Sequence, residues 1–246
     1  MSLIIAHRGY SGKFPENTML AFEKALEYGA EGLEIDIQLT KDGEVVICHD
    51  EQIDRTSNGK GYIKDLTLAE LKQYTFNNQM DGLEEEDAEK IKIPTLIELL
   101  DWMMDTQLLL NIEFKTSYID YQGIVAKTID LVKERNLEDR IFFSSFNHHT
   151  LKEVKALDER LECGFLTVAN LLNPGEYCQQ YQVEHYHPFY TSLLLTPEII
   201  EECKANGINI NTYTVNDAEV IKQLLDLEVG GIITNEVELA VQLANS

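Results

Sequence analysis

Short apolar runs alternate with segments of helical spacing along most of this chain. Runs readable as strands end near residues 6, 35, 48, 112, 144, 166, 187, 212 and 233. Between them lies helix-start chemistry. Asn17 or Thr18 caps a helix that closes at Gly29, while Thr67 with Glu70 and Thr95 with Glu98 have capping-box spacing. In that arrangement hydroxyl and carboxylate each satisfy one free end amide. Thr196-Pro197-Glu198 sets a cap, an N1 proline and a first-turn acid in order, and Asn216 with Glu219 opens the last long helix. Such alternation predicts an α/β fold, either a parallel sheet closed into a barrel or a doubly wound open sheet. No Gly-x-Gly-x-x-Gly follows the first strand, which weakens the dinucleotide-binding form of the open sheet.

The alternation is interrupted twice. Residues 37–44 are too few for a parallel crossover, and Asp42-Gly43 is a hairpin signal. If those two residues form the loop, Lys41 pairs with Glu44 and Asp36 faces His49. Glu34, Asp36 and His49 then share one face, and the barrel is imperfect around its second and third strands. Residues 50–105 hold Arg55-Thr56-Ser57-Asn58-Gly59-Lys60-Gly61, a short helix and the acidic run Glu84-Glu85-Glu86-Asp87. This stretch is expected to be a small inserted subdomain over the barrel mouth, with the acidic run a solvated loop, so that residues 1–246 make a single domain.

A hydrophobic fraction of 44% supplies a sizeable core and excludes a disordered chain. Twenty basic against 43 acidic residues give a formal net charge of −23, which repels nucleic acid and anionic membrane. An anionic substrate then needs local cations or a metal. Cys48, Cys163, Cys178 and Cys203 show no metal-ligand spacing and read as a reduced set, with Cys48 in a buried strand. The chain opens directly on a strand, and no apolar run reaches membrane-span length, so a cytoplasmic protein without stable membrane association is expected.

Chemistry-bearing residues gather where the apolar runs end. Leu3-Ile4-Ile5-Ala6 leads into His7-Arg8-Gly9, Val45-Val46-Ile47-Cys48 into His49-Asp50, and Leu108-Leu109-Leu110-Asn111-Ile112 into Glu113 and Lys115. Glu34, Asp36 and Glu113 form an all-oxygen set that suits Mg²⁺ or Ca²⁺ better than zinc. The alternative for each acid is a loop cap or a solvent-facing position. Yet Glu34 and Asp36 sit among Leu33, Ile35 and Ile37, and burying acids there is costly without a cation. His7 and His49 are the natural general acid and base; the alternative is two structural strand-end histidines. Arg8 and Lys115 supply fixed positive charge for a phosphate. His187 near a strand end is a candidate for the pocket wall, and His148-His149 opens a helix and is expected to be exposed.

These segments, with Pro15-Glu16-Asn17-Thr18, Thr40-Lys41-Asp42-Gly43, Arg55-Thr56, Asp65-Leu66-Thr67-Leu68, Ile93-Pro94-Thr95-Leu96, Ser144-Ser145-Phe146 and Thr214-Val215-Asn216, resemble in order the glycerophosphodiester phosphodiesterase family. The resemblance runs through essentially the whole chain. It implies a TIM barrel with an inserted subdomain and a metal-dependent split of glycerophosphodiesters into glycerol 3-phosphate and an alcohol. It maps the metal ligands onto Glu34, Asp36 and Glu113, the catalytic histidines onto His7 and His49, and the phosphate-contacting bases onto Arg8 and Lys115. Phe146 and Tyr213 join His187 as candidates for the pocket wall. Two departures stand out. Tyr213 occupies a position where the family often has tryptophan, which bears on the pocket wall and the alcohol accepted. Thr234-Asn235-Glu236 replaces a proline-containing turn, a change expected to bear on local rigidity more than on chemistry. Two rivals remain: a phospholipase D-like enzyme on the same scaffold, acting on lysolipids, and a non-catalytic barrel that only binds phosphodiesters.

Overall fold

The computed structural model describes residues 2–80, 82–84 and 87–246; Glu85 and Glu86 of the acidic run lie outside the described residues, and Glu84 beside them is exposed. The strands are β1 (Leu3–His7), β2 (Gly32–Leu39), β3 (Val45–Ile47), β4 (Leu109–Phe114), β5 (Ile141–Ser145), β6 (Glu162–Thr167), β7 (His185–Pro188), β8 (Asn209–Thr212) and β9 (Gly231–Thr234). Eight of them run parallel and close on themselves in the order β1-β2-β4-β5-β6-β7-β8-β9, with β9 paired back to β1. This is the TIM-type barrel, not the open sheet. Barrel strands are covered on both sides, which explains why they read as continuous apolar runs; every residue of β2 but the last is buried.

The imperfection around β2 and β3 has a local cause. β1 stops at His7, so its edge of β2 is left free beyond Glu34, whose carbonyl accepts the Arg8 amide at 2.8 Å. The returning chain takes that edge: β3 pairs antiparallel with β2, and the Cys48 amide donates to the Asp36 carbonyl at 2.9 Å. The hairpin register differs by one from the expected pairing. Ile37 faces Ile47 and Leu39 faces Val45, which puts Asp36 opposite Cys48 rather than His49. A two-residue loop of the predicted type needs two left-handed residues, and here Gly43 alone is left-handed, at φ 82°. Thr40 instead closes a three-residue loop, its amide donating to the Glu44 carbonyl and its hydroxyl accepting from the Glu44 amide.

Helices α1 (Met19–Glu27), α2 (Leu68–Leu71), α3 (Leu96–Met103), α4 (Ile124–Lys133), α5 (His148–Leu157), α6 (Pro174–Gln180), α7 (Thr191–Leu195), α8 (Glu198–Ala205), α9 (Ala218–Asp226) and α10 (Val237–Ala244) complete the order. Thr18 caps α1, and both capping boxes form as spaced. Two expected caps shift by a residue. Pro197, not Thr196, is the cap position of α8, because Thr196 already ends α7. Asp217, not Asn216, caps α9, since the Asn216 side chain accepts the Asn235 amide. A further helix, α10, follows α9. The stretch after β3 carries its own apolar cluster, in which Cys48, Ile53, Ile63, Leu71, Phe76 and Ile93 pack with Val46 of β3. That cluster ends before α3, whose Leu96, Leu99, Leu100 and Met103 belong to the barrel core.

Gly9 turns the chain from β1 toward α1 at φ +76°, and a Cβ there would lie 2.7 Å from the Ala21 carbonyl carbon. Left-handed backbone costs a side-chain-bearing residue about 1–2 kcal/mol, and forcing backbone apart adds to it. Gly9→Ala is therefore expected to lower the Tm by roughly 4–8 °C, at about 2–4 °C per kcal/mol for a domain this size. A melt by circular dichroism checks this, and a shift within about 1 °C would contradict it.

Candidate active site

Strand register brings the acids together at the carboxyl ends of the barrel. His7 lies beside Glu34 across β1 and β2, and Asp36 beside Glu113 across β2 and β4. The period of two puts Glu34 and Asp36 on one face. One oxygen from each of Glu34, Asp36 and Glu113 comes within 4.8 Å of the others, and all three residues are buried. Two cations oppose them. Arg8 Nε lies 3.3 Å from Asp36 Oδ2, while Lys115 Nζ is 2.8 Å from Glu113 Oε1 and 3.6 Å from Asp36 Oδ1. Three carboxylates against two cations leave one negative charge uncompensated.

The titration behaviour follows from that imbalance. Burial, then the charges of Asp36 and Glu113, pushes the Glu34 carboxyl well above its usual range. Burial also raises Glu113, against the pull of Lys115. Asp36 goes the other way: burial opposes its charge, but Arg8 and Lys115 outweigh it and hold the carboxyl below the carboxylate range. Asn17 Nδ2 adds a hydrogen bond to Asp36 Oδ2 at 2.9 Å, whereas the buried Asp36 Oδ1 has no hydrogen-bond donor. An all-oxygen donor set with an unpartnered buried oxygen and a surplus negative charge fits a hard divalent cation.

Both histidines open onto the same cavity, of about 190 Å³, with Arg8, Glu34, Glu113 and Lys115. The His7 Nδ1 lies 2.7 Å from Asn235 Oδ1, an acceptor, so the proton sits on Nδ1 and Nε2 faces Glu34 Oε2 at 3.9 Å. Burial, then Arg8, pushes its pKa down to about 4, and the ring is neutral near pH 7. The His49 Nδ1 sits 2.6 Å from Asp50 Oδ1. Arg55 grips Asp50 through Nε at 2.7 Å and Nη2 at 3.0 Å, and Glu16 through Nη1 at 2.9 Å and Nη2 at 2.7 Å. Glu16 in turn accepts from Arg8 Nη1 at 3.0 Å. An unbroken chain of hydrogen bonds and ion pairs thus joins His49, through Asp50, Arg55, Glu16 and Arg8, to Asp36. Each histidine uses Nδ1 on a fixed partner, and that leaves Nε2 for chemistry.

Phe146 and Tyr213 also line this cavity, their rings edge to face with centroids 5.9 Å apart. His187 does not. It is wholly buried inside the barrel, with Nε2 3.1 Å from Asn211 Nδ2 and directly over Gly164, where a Cβ would strike the ring. Strand alternation turns it inward below the mouth. His149 is exposed as expected, but His148 is half-buried, stacked on Phe165 with Nε2 2.9 Å from the Leu166 carbonyl. Several site residues lacked an assigned role in the sequence reading: Glu16, Asn17, Asp50, Arg55, Asn111 and Asn235. Asn111 carried a signal, lying two residues before Glu113 and hence on its face. Asn235, in the turn expected to bear on local rigidity, sits against His7 Nδ1.

Residues 7–239 match the profile of the Glycerophosphoryl diester phosphodiesterase family. The chain belongs to this family. A glycerophosphodiester phosphodiesterase of Caldanaerobacter subterraneus subsp. tengcongensis is 40% identical over 246 residues, covering 98% of this chain and 97% of the relative. One from Bacillus altitudinis is 37% identical, covering 99% and 98%. Among solved structures, an Oleispira antarctica phosphodiesterase in complex with the product sn-glycerol-3-phosphate superposes with a TM-score of 0.83 at 28% identity, covering 100% of this chain and 98% of that one. As a member of this family the protein is an enzyme, a phosphoric diester hydrolase. Among the described residues, no helix is long and apolar enough to cross a membrane.

Proposed function

We propose that the protein hydrolyses soluble glycerophosphodiesters to sn-glycerol 3-phosphate and an alcohol. On this reading Glu34, Asp36 and Glu113 hold a divalent cation, Mg²⁺ or Ca²⁺, and His7 and His49 are the general acid–base pair. The observation that carries it is that Arg8, Lys115 and both histidines share one cavity with Glu34 and Glu113, two of the three clustered, buried carboxylates, while Arg8 and Lys115 also reach the third, Asp36. The product bound to the Oleispira antarctica relative supports the choice of substrate.

The bound cation supplies Lewis-acid stabilisation of charge on phosphate oxygen. Arg8 and Lys115 lie against the same acids and add fixed positive charge where the phosphate sits. One histidine takes a proton from the nucleophile, water or the glycerol C2 hydroxyl, as its oxygen bonds to phosphorus. The other gives a proton to the departing alkoxide as the opposite P–O bond breaks. If the C2 hydroxyl attacks, water then opens the cyclic phosphate. Phe146 and Tyr213 form the pocket wall beside the alcohol. We take the whole chain as one catalytic unit, since Arg55 and Asn78 of the insertion both reach Glu16. Four buried, unpaired cysteines suit the reducing cytoplasm, and the acidic surface leaves a small molecule, not nucleic acid, as the partner.

Purified protein with Mg²⁺ or Ca²⁺ should release glycerol 3-phosphate from a panel of glycerophosphodiesters with choline, ethanolamine, glycerol and inositol head groups. Cleavage of lysolipids with every soluble diester left intact would move the assignment to the lipid-acting rival. Silence on both classes would favour the binding protein.

A further inference from the structure

We propose that Gln38 is a positioning residue for His49, a role that rests on the reading of His49 as part of the acid–base pair. Gln38 lies on β2, two residues beyond Asp36, and is completely buried. Its side-chain nitrogen lies 2.9 Å from the carbonyl oxygen of Cys48, 3.0 Å from that of His49 and 2.7 Å from that of Asp50. Three successive carbonyls of the loop that carries the histidine thus share the two protons of one amide. The amide orientation is fixed chemically, because backbone carbonyls only accept and because Oε1 takes the hydroxyl proton of Tyr121 at 2.6 Å.

The need for such a clamp comes from the strand itself. β3 ends at Ile47, so Cys48, Asp50 and His49 between them are beyond the regular ladder. The Cys48 amide still reaches the Asp36 carbonyl, but nothing in sheet pairing directs the carbonyls that follow. Gln38 supplies the missing partner from the same strand that carries Glu34 and Asp36. A single rigid element therefore sets both the acids and the backbone from which His49 projects, and small displacements of a reacting group are costly in rate. Tyr121, which is buried and follows β4, holds the Gln38 amide in turn.

The test uses the full-length, metal-loaded enzyme, with Gln38→Leu, Gln38→Glu, Tyr121→Phe and His49→Ala assayed on one glycerophosphodiester. Gln38→Leu is expected to lower kcat by about 10- to 100-fold with KM changed less than about 3-fold. Gln38→Glu offers the carbonyls a donor only when protonated, so the ratio of its kcat to that of the parent should rise as pH falls from 8 to 6, whereas the Gln38→Leu ratio stays flat. Tyr121→Phe is the milder variant, expected to lose about 3- to 10-fold, and it keeps the test open if Gln38→Leu does not fold. In ¹⁵N-histidine spectra the resonance assigned to His49 by its loss in His49→Ala should move in Gln38→Leu, with those of the remote His185 and His187 unmoved. A His49→Ala enzyme crippled while every Gln38 and Tyr121 variant keeps parental kcat would overturn the positioning role. A fully active His49→Ala would instead overturn the reading of His49 on which it rests.

Discussion

Treatment with EDTA is expected to abolish turnover, and Mg²⁺ or Ca²⁺ to restore it. Arg8 and Lys115 balance only two of the three carboxylates, and a bound divalent ion contributes several kcal/mol to a phosphoryl transition state. At 1.36 kcal/mol per decade, its loss should slow the reaction by at least ~10³-fold, and Glu113→Gln should do the same. The acids also give the prediction a thermodynamic signature that needs no substrate. Glu34 has a folded pKa raised above its unfolded value of about 4.3. Its contribution to stability is therefore present below that value and lost as pH rises through the raised folded pKa. Metal-free parent should lose Tm across that range, and added cation should recover it. Glu34→Gln removes the liability, so metal-free Glu34→Gln should melt higher than metal-free parent at pH 8 while having no activity. Asp36 has the opposite shift and the partners Arg8, Lys115 and Asn17, so Asp36→Asn should lower the Tm instead. Equal Tm changes for both variants, or full activity in EDTA, would refute the metal reading.

Legibility from sequence followed the physics of each feature. Buried parallel strands must be apolar along their length, so all nine strand ends were readable within about two residues except β2, which continues to Leu39 to receive β3. The acids stood out because a charge in an apolar strand has few explanations, and strand period put Glu34 and Asp36 on one face without tertiary information. What failed was geometry decided by single residues. The Asp42-Gly43 turn contained one left-handed residue where two were assumed, and that moved the pairing of Asp36 from His49 to Cys48. His187 sits at a strand end like the site residues, but nothing in its neighbours told that it turns into the barrel. Asn235 and Arg55 were not legible as parts of the site for another reason: each acts on a residue far away in the chain, Asn235 on His7, 228 positions off, and Arg55 on Glu16, 39 positions off. Long-range hydrogen bonds leave no periodic trace in a sequence.

His7→Ala and His49→Ala should each reduce kcat by at least ~100-fold with the fold intact, the scale of general acid–base assistance. Retained folding is expected because neither ring fills the apolar core: His7 closes β1 and His49 follows β3, both at the cavity. The two losses should not add. If the rings move protons in one concerted transfer, removing the second after the first costs little more, and the double variant should approach the slower single one. Their partners separate orientation from chemistry. Asn235→Ala takes away the acceptor at His7 Nδ1 and frees the other tautomer, which puts a proton on Nε2 where the ring must accept or pass one. Asp50→Asn does the corresponding damage at His49 and also loosens Arg55. Each should cost roughly 10-fold, less than loss of the ring itself, because a misoriented imidazole still samples the productive geometry. Steady-state kinetics of the five enzymes on one glycerophosphodiester decide the matter. Losses under ~10-fold at both histidines would remove them from proton transfer and leave catalysis to the cations and the bound metal alone.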